Sequence, residues 1–153
     1  MGLEPPALRD HGTSIAICRG VRRLFRSLGL PTVTELGLAD GRRADIVALS
    51  PDGEITIVEV KSSLQDFRSD RKWPAYVDYC DRLYFAVHPD GPVEAMPPDQ
   101  GLILADGHGA MILRDPPVRK AHPSRRRTVL LGFARCAATR LHDVEDPGAA
   151  TPG

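Results

Sequence analysis

The stretch Arg43-Ala44-Asp45-Ile46-Val47-Ala48-Leu49-Ser50-Pro51-Asp52-Gly53-Glu54-Ile55-Thr56-Ile57-Val58-Glu59-Val60-Lys61 decides how this chain folds. Its two runs, Arg43–Leu49 and Glu54–Lys61, are rich in β-branched and apolar residues at successive positions, as strands covered on both faces are. Between them, Ser50-Pro51-Asp52-Gly53 suits a three-residue hairpin loop. Proline presets φ, aspartate tolerates the bridge conformation and glycine takes the left-handed one. With Pro51–Gly53 as the loop, Ser50 closes against Glu54 and every later pair is set. Asp45 then stands opposite Glu59 on one face, with Cβ atoms ~4.5–5.5 Å apart. Lys61, two residues beyond Glu59, shares that face. A loop of even length would instead turn the two acids to opposite faces.

Adjacent carboxylates on a central, mostly apolar hairpin repel each other, which raises one pKa and weakens the cross-strand pair. A hard divalent cation removes that repulsion, because Mg²⁺ accepts one or two carboxylates together with water. The expected ligands are Asp45, Glu59 and the Val60 backbone carbonyl, with Mg²⁺ as cofactor and Mn²⁺ as its substitute. Lys61 puts a compact ammonium where phosphoryl charge would develop, so Asp45, Glu59 and Lys61 are the expected catalytic residues. The alternative is structural, with the acids neutralised by Arg43 and Lys61 as cross-strand ion pairs.

Outward from the hairpin, the pattern predicts a helix at about 14–28, capped by Thr13 or Ser14, with Ile17, Cys18, Val21, Leu24, Phe25 and Leu28 along one stripe. Thr32–Leu38 reads as a first strand and Arg82–Val87 as a fourth. Ser62-Ser63 open a short helix, with Gln65 or Asp66 placed for a capping box. A second helical stretch at about 74–80 follows Trp73-Pro74. Gly101–Ala105 and Ala110–Arg114 form a hairpin, 115–123 a basic connector, and 124–141 a helix whose stripe is Val129, Leu130, Phe133, Ala134, Ala137, Ala138 and Leu141. The expected organisation is one domain over 13–142 between flexible tails at 1–12 and 143–153.

The run Arg42-Arg43-Ala44-Asp45-Ile46-Val47 with Glu59-Val60-Lys61-Ser62-Ser63 resembles the PD-(D/E)XK nuclease superfamily. Within it, this run is similar to archaeal Holliday-junction resolvases. The longer run through Asp66-Phe67-Arg68-Ser69-Asp70-Arg71-Lys72-Trp73-Pro74, Tyr76 and Tyr79-Cys80-Asp81-Arg82-Leu83 resembles bacterial MmcB-type DNA repair proteins. The resemblance spans about 14–142. It implies an α/β, restriction-endonuclease-like mixed sheet flanked by helices, and a role in DNA repair. Metal-dependent cleavage is the expected activity, and a non-catalytic DNA-binding subunit the alternative, since some members of the superfamily only bind. It implies DNA as partner (damaged, branched or single-stranded) together with repair-complex proteins. The superfamily often adds an acid on the first helix. None lies between Thr13 and Gly29, so Glu35 on the first strand is the nearest substitute metal ligand.

Composition agrees with a single domain: 153 residues, 42% hydrophobic and 26% charged. Cys18, Cys80 and Cys136 form no C-x-x-C pair and the histidines no zinc spacing, so neither a disulfide framework nor a zinc site is expected. With no long apolar run and no signal-like start, the chain is expected to be cytoplasmic. The 20 Lys+Arg balance the 20 Asp+Glu, but the charge is segregated. Segment 114–127 holds six bases and one acid. Arg42, Arg43, Lys72, Arg125, Arg126 and Arg127 are the expected DNA contacts, whereas the helix-one arginines read as a solvated face. Only three bases are lysines, and Lys61 is the one in the motif where a compact ammonium suits the chemistry.

Overall fold

A computed structural model describes residues 6–148, with the side chains described from Thr13 onward. The hairpin closes as its loop chemistry requires. Ser50 N–H donates to the Glu54 carbonyl at 3.0 Å, Gly53 N–H donates to the Ser50 carbonyl at 3.1 Å, and Gly53 takes φ +88°. Strands β2 (Arg43–Leu49) and β3 (Ile55–Val60) pair antiparallel, with Leu49 opposite Ile55 and Ile46 opposite Val58. That register carried on sets Asp45 against Glu59.

The hairpin sits inside a six-stranded sheet ordered β1 to β6, with β1 (Thr32–Gly37) antiparallel to β2. Helices α2 (Leu64–Ser69) and α3 (Trp73–Tyr76), then a 3₁₀ turn, carry the chain to β4 (Arg82–Val87), which runs parallel to β3. Next come β5 (Gly101–Ala105), parallel to β4, and β6 (Ala110–Arg114), antiparallel to β5. The result is a single-domain mixed α/β fold.

Helix α1 (Pro6–Ser27) covers one face of the sheet by burying Ile17, Val21 and Phe25 against Ile46, Val58, Tyr84 and Ile103. Each such side chain contributes roughly 1.5–3 kcal/mol on burial. Helix α4 (Pro123–Glu145) covers the other face, where Val129 and Phe133 meet Val33, Leu36, Val47 and Ile57. The seating of α1 is close: a Cβ on Gly20 would lie 2.1 Å from the Asp106 carbonyl oxygen and 2.4 Å from that of Gly109.

Three expectations change. Helix α1 starts at Pro6, so 6–12 continue it and are not a tail; Pro6 at the first turn lacks only an N–H that would be unpaired there. Helix α4 runs on to Glu145, beyond the expected 141. Ala134, Ala138 and Leu141 are exposed although they continue the apolar stripe, whereas Leu130, Cys136 and Ala137 pack against the core. Of the tails expected at 1–12 and 143–153, residues 1–5 and 149–153 lie outside the described residues. Cys18, Cys80 and Cys136 are free thiols, and no helix among the described residues is long and apolar enough to cross a membrane.

Candidate functional site

At Asp45 and Glu59 the β2–β3 ladder gives way to side-chain bonds. Asp45 N–H donates to Glu59 Oε2 at 3.0 Å, and Val60 N–H donates to Asp45 Oδ2 at 2.8 Å. Each carboxylate thus takes one backbone N–H and keeps its other oxygen, Asp45 Oδ1 or Glu59 Oε1, outside these bonds. On the neighbouring strand, Glu35 adopts φ +51°, a left-handed conformation that costs a non-glycine residue of order 1–3 kcal/mol. Alternation slips by one residue there. Val33 and Leu36, three apart, both enter the core under α4, as do Ala44 and Val47 opposite them. This irregularity leaves Asp45 lining both a cavity of about 350 Å³ shared with Glu59 and Lys61 and a larger groove along α1 shared with Glu35.

Glu59 is only 3% exposed. Burial, reinforced by the Asp45 charge, pushes its pKa up from 4.5 to about 8, against the lowering effect of the Asp45 N–H. Burial likewise raises Asp45 to about 6, opposed by the Val60 N–H and assisted by Glu35. These are the shifts expected of a carboxylate pair in an apolar hairpin.

Lys61 is 5% exposed, and its Nζ donates to Asp70 Oδ2 at 2.5 Å. Asp70 Oδ1 accepts the Lys72 and Trp73 N–H groups at 2.7 and 3.2 Å, which ties the lysine to the start of α3. Burial would raise the Asp70 pKa, but these bonds and the Lys61 charge bring it below the ordinary value. Of Gln65 and Asp66, it is Asp66 that serves the helix start, in a variant of the capping box whose return bond comes from Ser62 and not from the Ser63 cap. Asp66 accepts from Ser62 N–H at 3.1 Å and its own N–H donates to Ser63 Oγ at 3.0 Å, holding the turn after Lys61. Tyr76 and Tyr79 are core residues, and the Tyr76 hydroxyl donates to the Arg43 carbonyl at 2.9 Å.

Among the described residues no group of three or more His, Cys, Asp and Glu side chains is arranged to hold a metal ion. Of the acids lining the cavity with Lys61, Asp70 is committed through both oxygens and Asp66 holds the turn through Oδ2, which leaves Asp45 and Glu59 as the adjacent pair, with one uncommitted oxygen each. That set suits Mg²⁺ when water and substrate phosphate complete its shell. Glu35 is exposed on the groove side and stands apart from Glu59. Val60 lines both cavities, its N–H committed to Asp45.

The expected DNA contacts divide. Arg43 and Lys72 are exposed at the small cavity. Arg42 pairs with Asp40 at 2.5 Å. Arg126 is a correction: its guanidinium donates to both oxygens of buried Asp81, at 2.8 Å to Oδ2, and to the Gly53 carbonyl at 2.8 Å. Asp81 also accepts from Ile55 N–H at 2.7 Å and Ala121 N–H at 2.9 Å. Arg126 therefore fastens α4 to the hairpin end of β3, and a buried carboxylate supplies the physical demand. Arg125 stacks over Tyr79 at 4.9 Å and Arg127 is exposed. Both lie at this end of β3, away from Lys61 at the other. Asp70 and the α1 arginines are the functional candidates missed in the sequence. Asp70, three residues ahead of Trp73-Pro74, carries a helix-start signal that could have marked it.

A mixed sheet covered on both faces, with a half-buried Asp45, a buried Glu59 and a buried Lys61 where the β2–β3 ladder ends, defines a single-domain α/β protein with a charged cavity at the end of its central strands. The chain belongs to the MmcB-like family of DNA repair proteins, whose family model matches residues 4–148. It is similar to a solved structure of a protein of unknown function from Silicibacter pomeroyi, at 40% identity and TM-score 0.87, over 91% of this chain and 95% of that one. No curated protein matches the chain significantly.

Proposed function

We propose that the protein is a DNA repair nuclease of the PD-(D/E)XK, restriction-endonuclease-like class, hydrolysing phosphodiester bonds with Mg²⁺ or Mn²⁺ held by Asp45, Glu59 and the Val60 carbonyl. The observation that carries this reading is the carboxylate pair, Glu59 buried and Asp45 half-buried, both raised in pKa and each with one uncommitted oxygen. A divalent cation bound there supplies Lewis-acid stabilisation of the phosphoryl charge. The residues around it do the rest. Glu59, whose pKa is raised, would hold a cation as the carboxylate, its proton released to solvent. Lys61 presents its ammonium to a phosphoryl oxygen, with Asp70 holding the side chain in place. Arg43 and Lys72, exposed at the cavity, meet the flanking phosphates.

One observation favours a non-catalytic, DNA-binding role instead: the Lys61 ammonium is already compensated by Asp70 at 2.5 Å. Cleavage of labelled single-stranded, flap, mismatched and branched DNA decides between the two. Hydrolysis that needs Mg²⁺ and falls about 10²-fold or more in Lys61→Ala supports the nuclease. No cleavage of any substrate, with Lys61→Ala indistinguishable from the parent, refutes it. DNA binding that survives Asp45→Asn, with no Mg²⁺ uptake by calorimetry, establishes the second reading.

A further inference from the structure

The larger cavity is a groove of about 1170 Å³ along α1, against about 350 Å³ around Lys61. Its helical wall carries Arg19, Arg22, Arg23 and Arg26, all exposed. Their spacing of three and four residues puts them on one face of α1 over a length of about 10 Å. Arg22 Nε donates to Thr32 Oγ1 at 3.1 Å and Arg23 donates to the His108 carbonyl at 3.2 Å. Arg19 and Arg26 have no hydrogen-bond or ion-pair partner among the described residues. The lining also includes apolar Ile15, Leu30 and Val60, and one end of the groove reaches Asp45.

We propose that this groove is a track for single-stranded DNA, its phosphates against the α1 arginines and its bases over the apolar lining, leading the strand to Asp45. The arrival of that strand at a reactive centre rests on the nuclease reading; the binding does not. A duplex keeps its base faces stacked inside and presents phosphates and polar groove edges. It would leave Ile15, Leu30 and Val60 unmatched. A single strand offers anionic phosphates and apolar base faces together, which is the combination this groove lines. The excess of arginine over Glu35 and Asp45 keeps the track net positive.

The test is fluorescence anisotropy with a labelled oligo-dT in EDTA, over a series of salt concentrations, so that binding is read without cleavage. Arg19→Ala combined with Arg26→Ala removes two phosphate contacts. The slope of log affinity against log salt should become shallower by about 1.4, at about 0.7 per contact for a single strand. Affinity should fall at least tenfold. Lys120→Ala with Arg135→Ala, exposed residues outside both cavities, should change neither quantity, and a duplex should bind at least tenfold more weakly. The proposal is overturned if the Arg19/Arg26 variant binds oligo-dT with parent affinity and slope, or if the duplex binds as tightly as the single strand. Adding Mg²⁺ to the same samples separates the two readings. Cleavage with groove-independent binding overturns the track alone. Groove-dependent binding with no cleavage supports the track and removes the nuclease.

Discussion

Replacing Glu59 with glutamine should stabilise the metal-free protein at alkaline pH, the opposite of what removing a native hydrogen-bonding charge commonly does. In the fold Glu59 titrates near 8 against an ordinary 4.5, because it is buried beside Asp45. A folded-state pKa above the unfolded one means the fold prefers the protonated form. The associated stability is complete below about pH 4.5 and is lost as pH rises through 8. Once Glu59 is fully ionised the loss is on the order of several kcal/mol. A glutamine in its place mimics the protonated acid: the amide oxygen can still accept the Asp45 N–H, and the group does not titrate. In EDTA, parent and Glu59→Gln should match within about 1 kcal/mol near pH 5. Near pH 9 the variant should be more stable by several kcal/mol, or on the order of 10 °C in Tm for a chain of this size. Urea titrations at both pH values read the difference, because subtracting the two proteins cancels the titrating groups remote from Glu59 and leaves Glu59 together with its neighbour Asp45. Mg²⁺ added near pH 9 should raise the Tm of the parent and leave the variant unmoved. A gap that does not change between the two pH values, or a variant less stable near pH 9, refutes the raised pKa and the charge conflict inferred from it.

Asp70→Ala should lose about 3–5 kcal/mol in urea, since it leaves the buried Lys61 ammonium without its partner. Asp70→Asn, which can keep the bonds to the Lys72 and Trp73 N–H groups, should lose less. Arg126→Ala should cost about 3 kcal/mol through the unpaired Asp81 carboxylate, with oligonucleotide affinity per folded molecule unchanged; a selective loss of binding would contradict its structural assignment. Gly20→Ala should cost at least about 3 kcal/mol in thermal or urea melts, because the new methyl meets backbone oxygens of Asp106 and Gly109 that cannot rotate away. A variant as stable as the parent would show that α1 seats more loosely on the β5–β6 turn.

Much of the site was legible because it follows from local rules. The odd loop Pro51–Gly53 sets the register, ladder geometry propagates it to Ile46 opposite Val58, and the acids come into line from there. The Ile17, Val21 and Phe25 stripe could be read from its 3.6-residue period alone. The same rule misled at Leu141, where the period continues but the side chain is exposed. Arg125–Arg127 looked like one basic arm. Burial of Asp81 splits it, taking Arg126 into the fold while Arg127 stays in solvent.

By itself the sequence determined the element order, the α/β class, the hairpin register and the pairing of Asp45 with Glu59, all consequences of spacing within or between adjacent segments. Only the tertiary structure decided which partner each charge meets. Which arginine meets Asp81, that Lys61 rests on Asp70, and that the α1 arginines wall a groove reaching Asp45 depend on how helices and loops pack around the sheet. Charged side chains are long, and their partners are selected by burial and desolvation at sites distant along the chain, which no local period encodes. The neutral total charge divides accordingly into buried pairs that hold the fold and arginines that stay exposed to solvent.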